Sequence, residues 1–162
     1  MPTSSFYKFN CFVEDIGKIK HDFANDTVKC LLTNTTPNAA DTIVDTSVTP
    51  CVVKSTSNAT EVAAASGYVK GGGAVASLVY AQSGGIAKLY GVKVSWTAGA
   101  SIGPFQYAVL YNESKGTTAT RPVIGYFTYG TPVTLGVGET FTVGNQNDGT
   151  DWTTTYPILT LT

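Results

Sequence analysis

Two hydrophobic periods run along this chain, and they divide it unevenly. Near the N-terminus Phe9, Val13 and Ile16 recur at steps of four and three, and Phe12, Ile16, Ile19 and Phe23 continue the apolar stripe. That spacing predicts one amphipathic helix over about residues 5–20. The hydroxyls of Thr3, Ser4 and Ser5 are available to cap its start, while Gly17 weakens its last turn. "ANDT" then predicts a turn, and "VKCLLTN" from Val28 a short buried strand.

From Thr35 to about Gly73 the pattern loosens into Pro37, Pro50, many Ala, Ser and Thr residues, and the run "GYVKGGG". This segment predicts long loops holding short strand pieces such as "DTIVDTS" and "PCVVKS". Its glycines serve either close passage over a neighbour or turns with positive φ. After Gly73 the period becomes two. "AVASLVYA" alternates Val75, Ser77 and Val79 against Ala76, Leu78 and Tyr80, and "QSGG" turns the chain. "IAKLYGVKVSW" sets Tyr90, Val92, Val94 and Trp96 on one face of a half-buried antiparallel strand.

Phe105, Tyr107, Val109 and Tyr111 form the next alternating set, ahead of a long hairpin tip, "NESKGTTATR". Ile124 and Tyr126 then face away from Val123, Phe127 and Tyr129, and apolar residues on both faces predict a central strand covered on two sides. Val133, Leu135, Val137, Phe141 and Val143 stay in phase across "GVGET", which is either a hairpin turn or a bend. The polar loop "GNQNDGTDW" leads into a last strand, "YPILTLT".

Many short strands without alternating helices predict a mainly β fold, an antiparallel β-sandwich or jelly-roll-like barrel with one N-terminal α-helix. The 162 residues fit a single domain 1–162, with a loop-rich segment at about 35–73 and an antiparallel β core at about 74–162. There is no fixed-period repeat, which argues against a propeller or solenoid.

Charge narrows the partners. With 13% charged residues and a formal net charge of -1, the chain offers no basic field for nucleic acid and no charge to hold it on a membrane. The start, "MPTSSFYKFN", does not resemble a signal peptide, and no apolar run approaches the roughly 20 residues of a membrane helix. Cys11, Cys30 and Cys51 are an odd, widely spaced set that reads as reduced, partly buried side chains rather than a disulfide or metal framework. The sequons at Asn34 and Asn58 follow from the abundance of threonine.

No constellation for catalysis stands out, and no catalytic, cofactor-binding or metal residue is assigned. His21, the single imidazole, sits in "KIKHDF" near the predicted helix end, where a surface position is expected. There is no Gly-x-Ser-x-Gly elbow, and Glu14, Asp15, Asp45, Glu61, Glu113 and Glu139 are not singled out as an acid/base pair. "NQNDGTD" lacks the EF-hand order and reads as a tight Asn/Asp-Gly turn, and "KGGGA" departs from the phosphate-loop pattern. The aromatic strands either fill a core or present a sugar-stacking face, and their alternation favours core. Tyr107, Tyr111, Tyr126 and Phe127 are the rings expected to support it.

"YKFNCFVEDIGKIKHDFANDTVKCLLTNTTP", "SGYVKGGG", "IGPFQYAVLYN" and "PVIGYFTYGTPVTLGVGETFTV" resemble, in order and over most of the chain, small virion structural proteins of tailed bacteriophages. The resemblance implies a non-enzymatic role without cofactors, first as a capsid decoration (cement) protein on the outside of the shell, assembled in the host cytoplasm. Its partners would be the major capsid protein and further copies of itself, as a dimer or trimer. A tail or baseplate protein is the alternative, and a carbohydrate-binding adhesin using rings such as Tyr90 or Trp96 a further one. Low net charge suits copies packed closely on a lattice. The segment Thr35 to Gly73 and the tail after Asp151 are the candidate arms.

Overall fold

A computed structural model describes residues 5–162. In chain order, β1 (Ser5–Lys8) leads into α1 (Cys11–Gly17), followed by β2 (Val28–Thr33), β3 (Ile43–Asp45), β4 (Val52–Lys54), β5 (Ala59–Thr60) and β6 (Gly73–Ala74). A hairpin of β7 (Val79–Ser83) and β8 (Ile86–Tyr90) precedes β9 (Val94–Thr97). Two long strands, β10 (Ile102–Asn112) and β11 (Arg121–Leu135), come before β12 (Thr140–Val143) and β13 (Leu159–Leu161).

The largest sheet runs β5-β4-β3-β11-β10-β2-β6, with β1 also on β11. Two smaller sheets, β12-β9 and β13-β8-β7, complete the fold, and the strand ladders are antiparallel. The expected mainly β, antiparallel, sandwich-like class is what forms. One face of the large sheet, with Cys30, Leu32, Leu110, Ile124 and Phe127, packs against Leu89, Trp96, Val143 and Leu159 of the smaller sheets. On the other face Leu31, Val109, Tyr111 and Val123 enclose a second core with Phe9, Val44, Cys51, Val53 and Ala59.

That second core lies inside a ring. After β5 the chain returns to β2 through the bridge Thr33↔Glu61 and the bond from Val62 N–H to the Leu32 carbonyl, 2.9 Å. The strands β2, β10, β11, β3, β4 and β5 therefore close on themselves, which removes their exposed edges. The loop-rich segment 35–73 is thus built into the domain, and the strand pieces expected at "DTIVDTS" and "PCVVKS" are β3 and β4. Its glycine run does both things expected of it. Gly71 and Gly72 have φ of +84° and +75°, and a Cβ on Gly72 would overlap the Cys30 carbonyl oxygen.

Several sequence expectations change. The helix is confined to seven residues, Cys11–Gly17, with no side-chain cap bond. Ser5–Lys8 instead pairs with Thr128–Gly125, because β11 offers those residues a ladder and Phe6 a partner ring in Phe127. Thr3 and Ser4, expected as caps, lie outside the described residues. Val13 and Ile19 leave the apolar stripe and are 57% and 77% exposed. The single strand expected over residues 86–96 is two strands in different sheets, interrupted at Gly91, where the backbone passes so close to Val75 and Ala76 that a Cβ would lie 3.0 and 3.1 Å from them. "GVGET" closes no hairpin, because β12 pairs with β9 rather than with β11.

Bulges alter the alternation within β10 and β11. The register shifts between Phe105 and Tyr107, so Phe105 faces the first core while Val109 and Tyr111 face the second. A further shift beside Gly125 places Ile124 and Phe127 on one face and Val123 and Tyr126 on the other.

Candidate interaction surfaces

The residues with potential for chemistry are mostly absorbed by packing. His21, expected at the surface, is buried and stacks on Phe23 with centroids 5.3 Å apart. Its Nδ1 lies 3.2 Å from the Asn112 amide nitrogen, and that amide also donates to Asp26 Oδ2 at 2.7 Å. Burial pushes its pKa down to about 4, against the raising effect of Asp15 and Asp26. Nδ1 therefore accepts, the proton resides on Nε2, and His21 is a neutral core residue. The three cysteines are free, with Cys30 and Cys51 buried, and burial pushes Cys11 up to about 11 and Cys51 to about 12. They are thiols, not thiolates.

Carboxylates are likewise tied into structure. Asp15 pairs with Lys20 at 2.8 Å, Asp45 with Lys54 at 2.7 Å, and Glu14 with Lys18 one turn along the helix. Glu113 stands between Lys29 and Arg121 at 3.9 and 3.8 Å, and Glu139 accepts from the Gly136 N–H at 2.6 Å. In the loop after β12, Asn145 is buried and its amide nitrogen lies 2.7 Å from both Asp148 Oδ1 and Thr150 Oγ1. Asp148 Oδ1 also accepts from the Thr150 N–H, so the segment is an Asx-type turn organised by Asn145. Among the described residues, no group of three or more His, Cys, Asp or Glu side chains could hold a metal, and no helix is long and apolar enough to cross a membrane.

The aromatic residues separate into core and cleft. Tyr111 and Phe127 are fully buried, Tyr126 is half-buried against the second core, and half-buried Tyr107 shares a 2.8 Å hydrogen bond with Thr36 Oγ1. Trp96 is only 4% exposed, packed on Tyr68, and Tyr90 is half-buried, so neither is the exposed ring that glycan stacking would need. A cleft does form between β10, β11 and β12, lined by Phe105, Tyr107, Phe127, Tyr129 and Phe141 and walled by the Asn145 loop. It is narrow, about 40 Å³, because Phe141 meets Phe105 and Tyr129 edge-on at 4.7 and 5.4 Å.

Larger openings lie around the three-stranded sheet. A groove of about 470 Å³ runs between β1 and β13, lined by Phe6, Tyr156, Pro157, Ile158 and Leu161, with Lys8 the one charged residue on its walls. Among the described residues, β1 pairs only with β11 and β13 only with β8, so each has one uncovered edge facing away from its partner strand. At the other side of the small sheet lies the β7–β8 hairpin, with all five residues of β7 exposed and the Tyr80 ring 5.6 Å from Phe23.

No family model, curated protein or solved structure matches this chain.

Neither candidate arm projects. Segment 35–73 closes the ring, and the tail is held by buried Trp152 and by Leu159 paired with Leu89. The strand exposed at every residue is β7, which lies within the run "AVASLVYA" that was expected as a strand. Its position was not legible because exposure depends on what packs above a strand, not on the strand's own alternation.

Proposed function

We propose that the chain is a non-enzymatic virion structural protein of a tailed bacteriophage, a capsid decoration protein seated on the outside of the shell. The observation that carries this is the groove between β1 and β13. Uncovered strand edges can take up an extended segment through main-chain hydrogen bonds, and apolar walls then select its side chains. Phe6, Ile158 and Leu161 supply those walls, and Lys8 favours an acidic residue opposite it. The occupant is an extended segment of the major capsid protein. The sequence resemblance supplies the phage context, and a fold whose titratable groups are engaged in packing suits a protein that binds rather than reacts.

Each such contact is modest, and repetition over a lattice makes many of them effective. The test is quantitative mass spectrometry of purified virions and of tail-less heads. A copy ratio to the major capsid protein of order one, kept after tail removal, is the expected result. A small ratio that disappears with the tails would make this a tail or baseplate protein instead.

A further inference from the structure

The hairpin end of the small sheet is built to meet its own copy. Strand β7, "VYAQS", is an edge strand, with Val79 and Tyr80 each 39% exposed, the Tyr80 ring resting on Phe23, and Ile86, opposite Ser83 at the turn, equally exposed. Soluble proteins guard such edges with lysine, proline or a bulge. β7 has none of these: its ladder to β8 is unbroken from Val79↔Tyr90 to Ser83↔Ile86, and no charged residue occurs from Gly71 to Ala87. Lys88, the nearest, is tied back to the Thr154 carbonyl at 2.7 Å.

The backbone direction of each residue follows from the turn. Gly84 and Gly85 have φ of +61° and +81°, a two-residue turn that makes Ser83 and Ile86 a hydrogen-bonded pair. Leu89 points its carbonyl to Ile158 on the β13 side, which gives the same phase. Val79, Ala81 and Ser83 therefore turn their N–H and C=O groups to β8, and Tyr80 and Gln82 turn theirs to the open edge.

We infer that this edge pairs with β7 of a second copy, antiparallel about a two-fold axis at Ala81, joining two three-stranded sheets into one of six strands. Centring on Ala81 pairs all five residues, and Tyr80 of each copy faces Gln82 of the other in a hydrogen-bonded pair. Ala81 meets Ala81 at a non-hydrogen-bonded position, where Cα atoms approach to about 4.5 Å and a small side chain fits. A strand paired with itself places like beside like near the axis, so any charge there would be repelled; this neutral strand meets that condition. Five residues a side fall well short of the roughly 20–30 of a standard interface. The pairing is accordingly weak in dilute solution and effective where copies stand close. It holds independently of whether the chain decorates a capsid.

The test uses the purified full chain at high concentration under mild oxidation, read as disulfide-linked dimer on a non-reducing gel, with the unmutated chain as background. In this register Ala81→Cys has a bridgeable partner, whereas Gln82→Cys is about 8 Å and Val79→Cys farther from its own copy. Ala81→Cys is expected to give about tenfold more linked dimer than either, and Ala81→Lys, with its circular dichroism unchanged, to lower the sedimentation-average mass at the same concentration. Equal linkage at all three positions, no linkage at Ala81→Cys above background, or linkage of Ala81→Cys to a different protein in assembled particles would each overturn the inference.

Discussion

Tyr68 donates its hydroxyl to Glu61 Oε1 at 2.8 Å while the same hydroxyl accepts from the Leu32 N–H at 2.9 Å, and both residues are almost wholly buried. Glu61 also takes the Gly71 N–H at 2.7 Å and the Cys51 N–H at 3.1 Å. This carboxylate sits where the ring of strands closes, and it joins the chain on either side of the join. Buried acceptors with several donors are costly to remove because each donor is left unsatisfied. Tyr68→Phe is expected to cost about 1–3 kcal/mol and Glu61→Ala about 3 kcal/mol or more in urea unfolding. Equal, small losses would mean the join does not depend on them.

Stability should fall on mild acidification through His21. Its pKa is about 4 in the fold against an ordinary value of 6.5, so the unfolded chain binds the proton first. The contribution is complete above pH 6.5 and is lost as pH falls towards about 4. Between pH 7 and 4.5 the stability advantage of the unmutated chain over His21→Phe should shrink by about 2–3 kcal/mol. An imidazole NMR titration centred near 6.5 would contradict this.

Phe127 is 2% exposed and contacts Phe6 and Trp152 at 5.0 and 5.9 Å between centroids. Phe127→Ala should cost about 3–5 kcal/mol in denaturant unfolding, and half-buried Tyr126→Ala distinctly less. A loss well under 1 kcal/mol for Phe127→Ala would place that ring outside the core.

A Cβ at Gly125 would overlap the Phe6 ring and lie 2.7 Å from the Tyr7 carbonyl oxygen. Gly125→Ala should therefore lift β1 from β11, costing about 1–3 kcal/mol and speeding amide exchange at Phe6–Lys8. Because β1 forms one wall of the groove, the proposed decoration role makes the same variant weaker in binding a capsid shell. Unchanged exchange would show that β1 tolerates the methyl group.

The short apolar run "VKCLLTN" made β2 legible, and its side chains do divide between the two cores, Val28, Cys30 and Leu32 on one face and Leu31 on the other. Such alternation failed at Phe105. Between Phe105↔Val133 and Tyr107↔Thr128 β10 advances two residues while β11 advances five, and the faces change there, yet "GPFQYAV" does not announce an irregularity that lies mostly in its partner strand. The N-terminal helix forms only over Cys11–Gly17, for a related reason. The stripe from Phe9 to Phe23 suggested a helix over about residues 5–20, but a neighbouring strand edge offered Ser5–Lys8 more than isolated helical turns could. His21 was misplaced at the surface because its partner Asn112 is 91 residues distant in sequence.

The sequence by itself determined the class: abundant threonine, valine and glycine with period-two runs make antiparallel sheet, and 13% charge with one histidine leaves little material for ionic recognition. Tertiary structure decided which edges are closed and which remain open. Glu61 meets Thr33 and closes the ring from β2 to β5, whereas no strand among the described residues pairs with the outer edge of β7 or of β13. Edge pairing is a contact between segments far apart in the chain, so no local pattern encodes it, and the open edge of β7 and the groove between β1 and β13 exist only once the strands have been arranged.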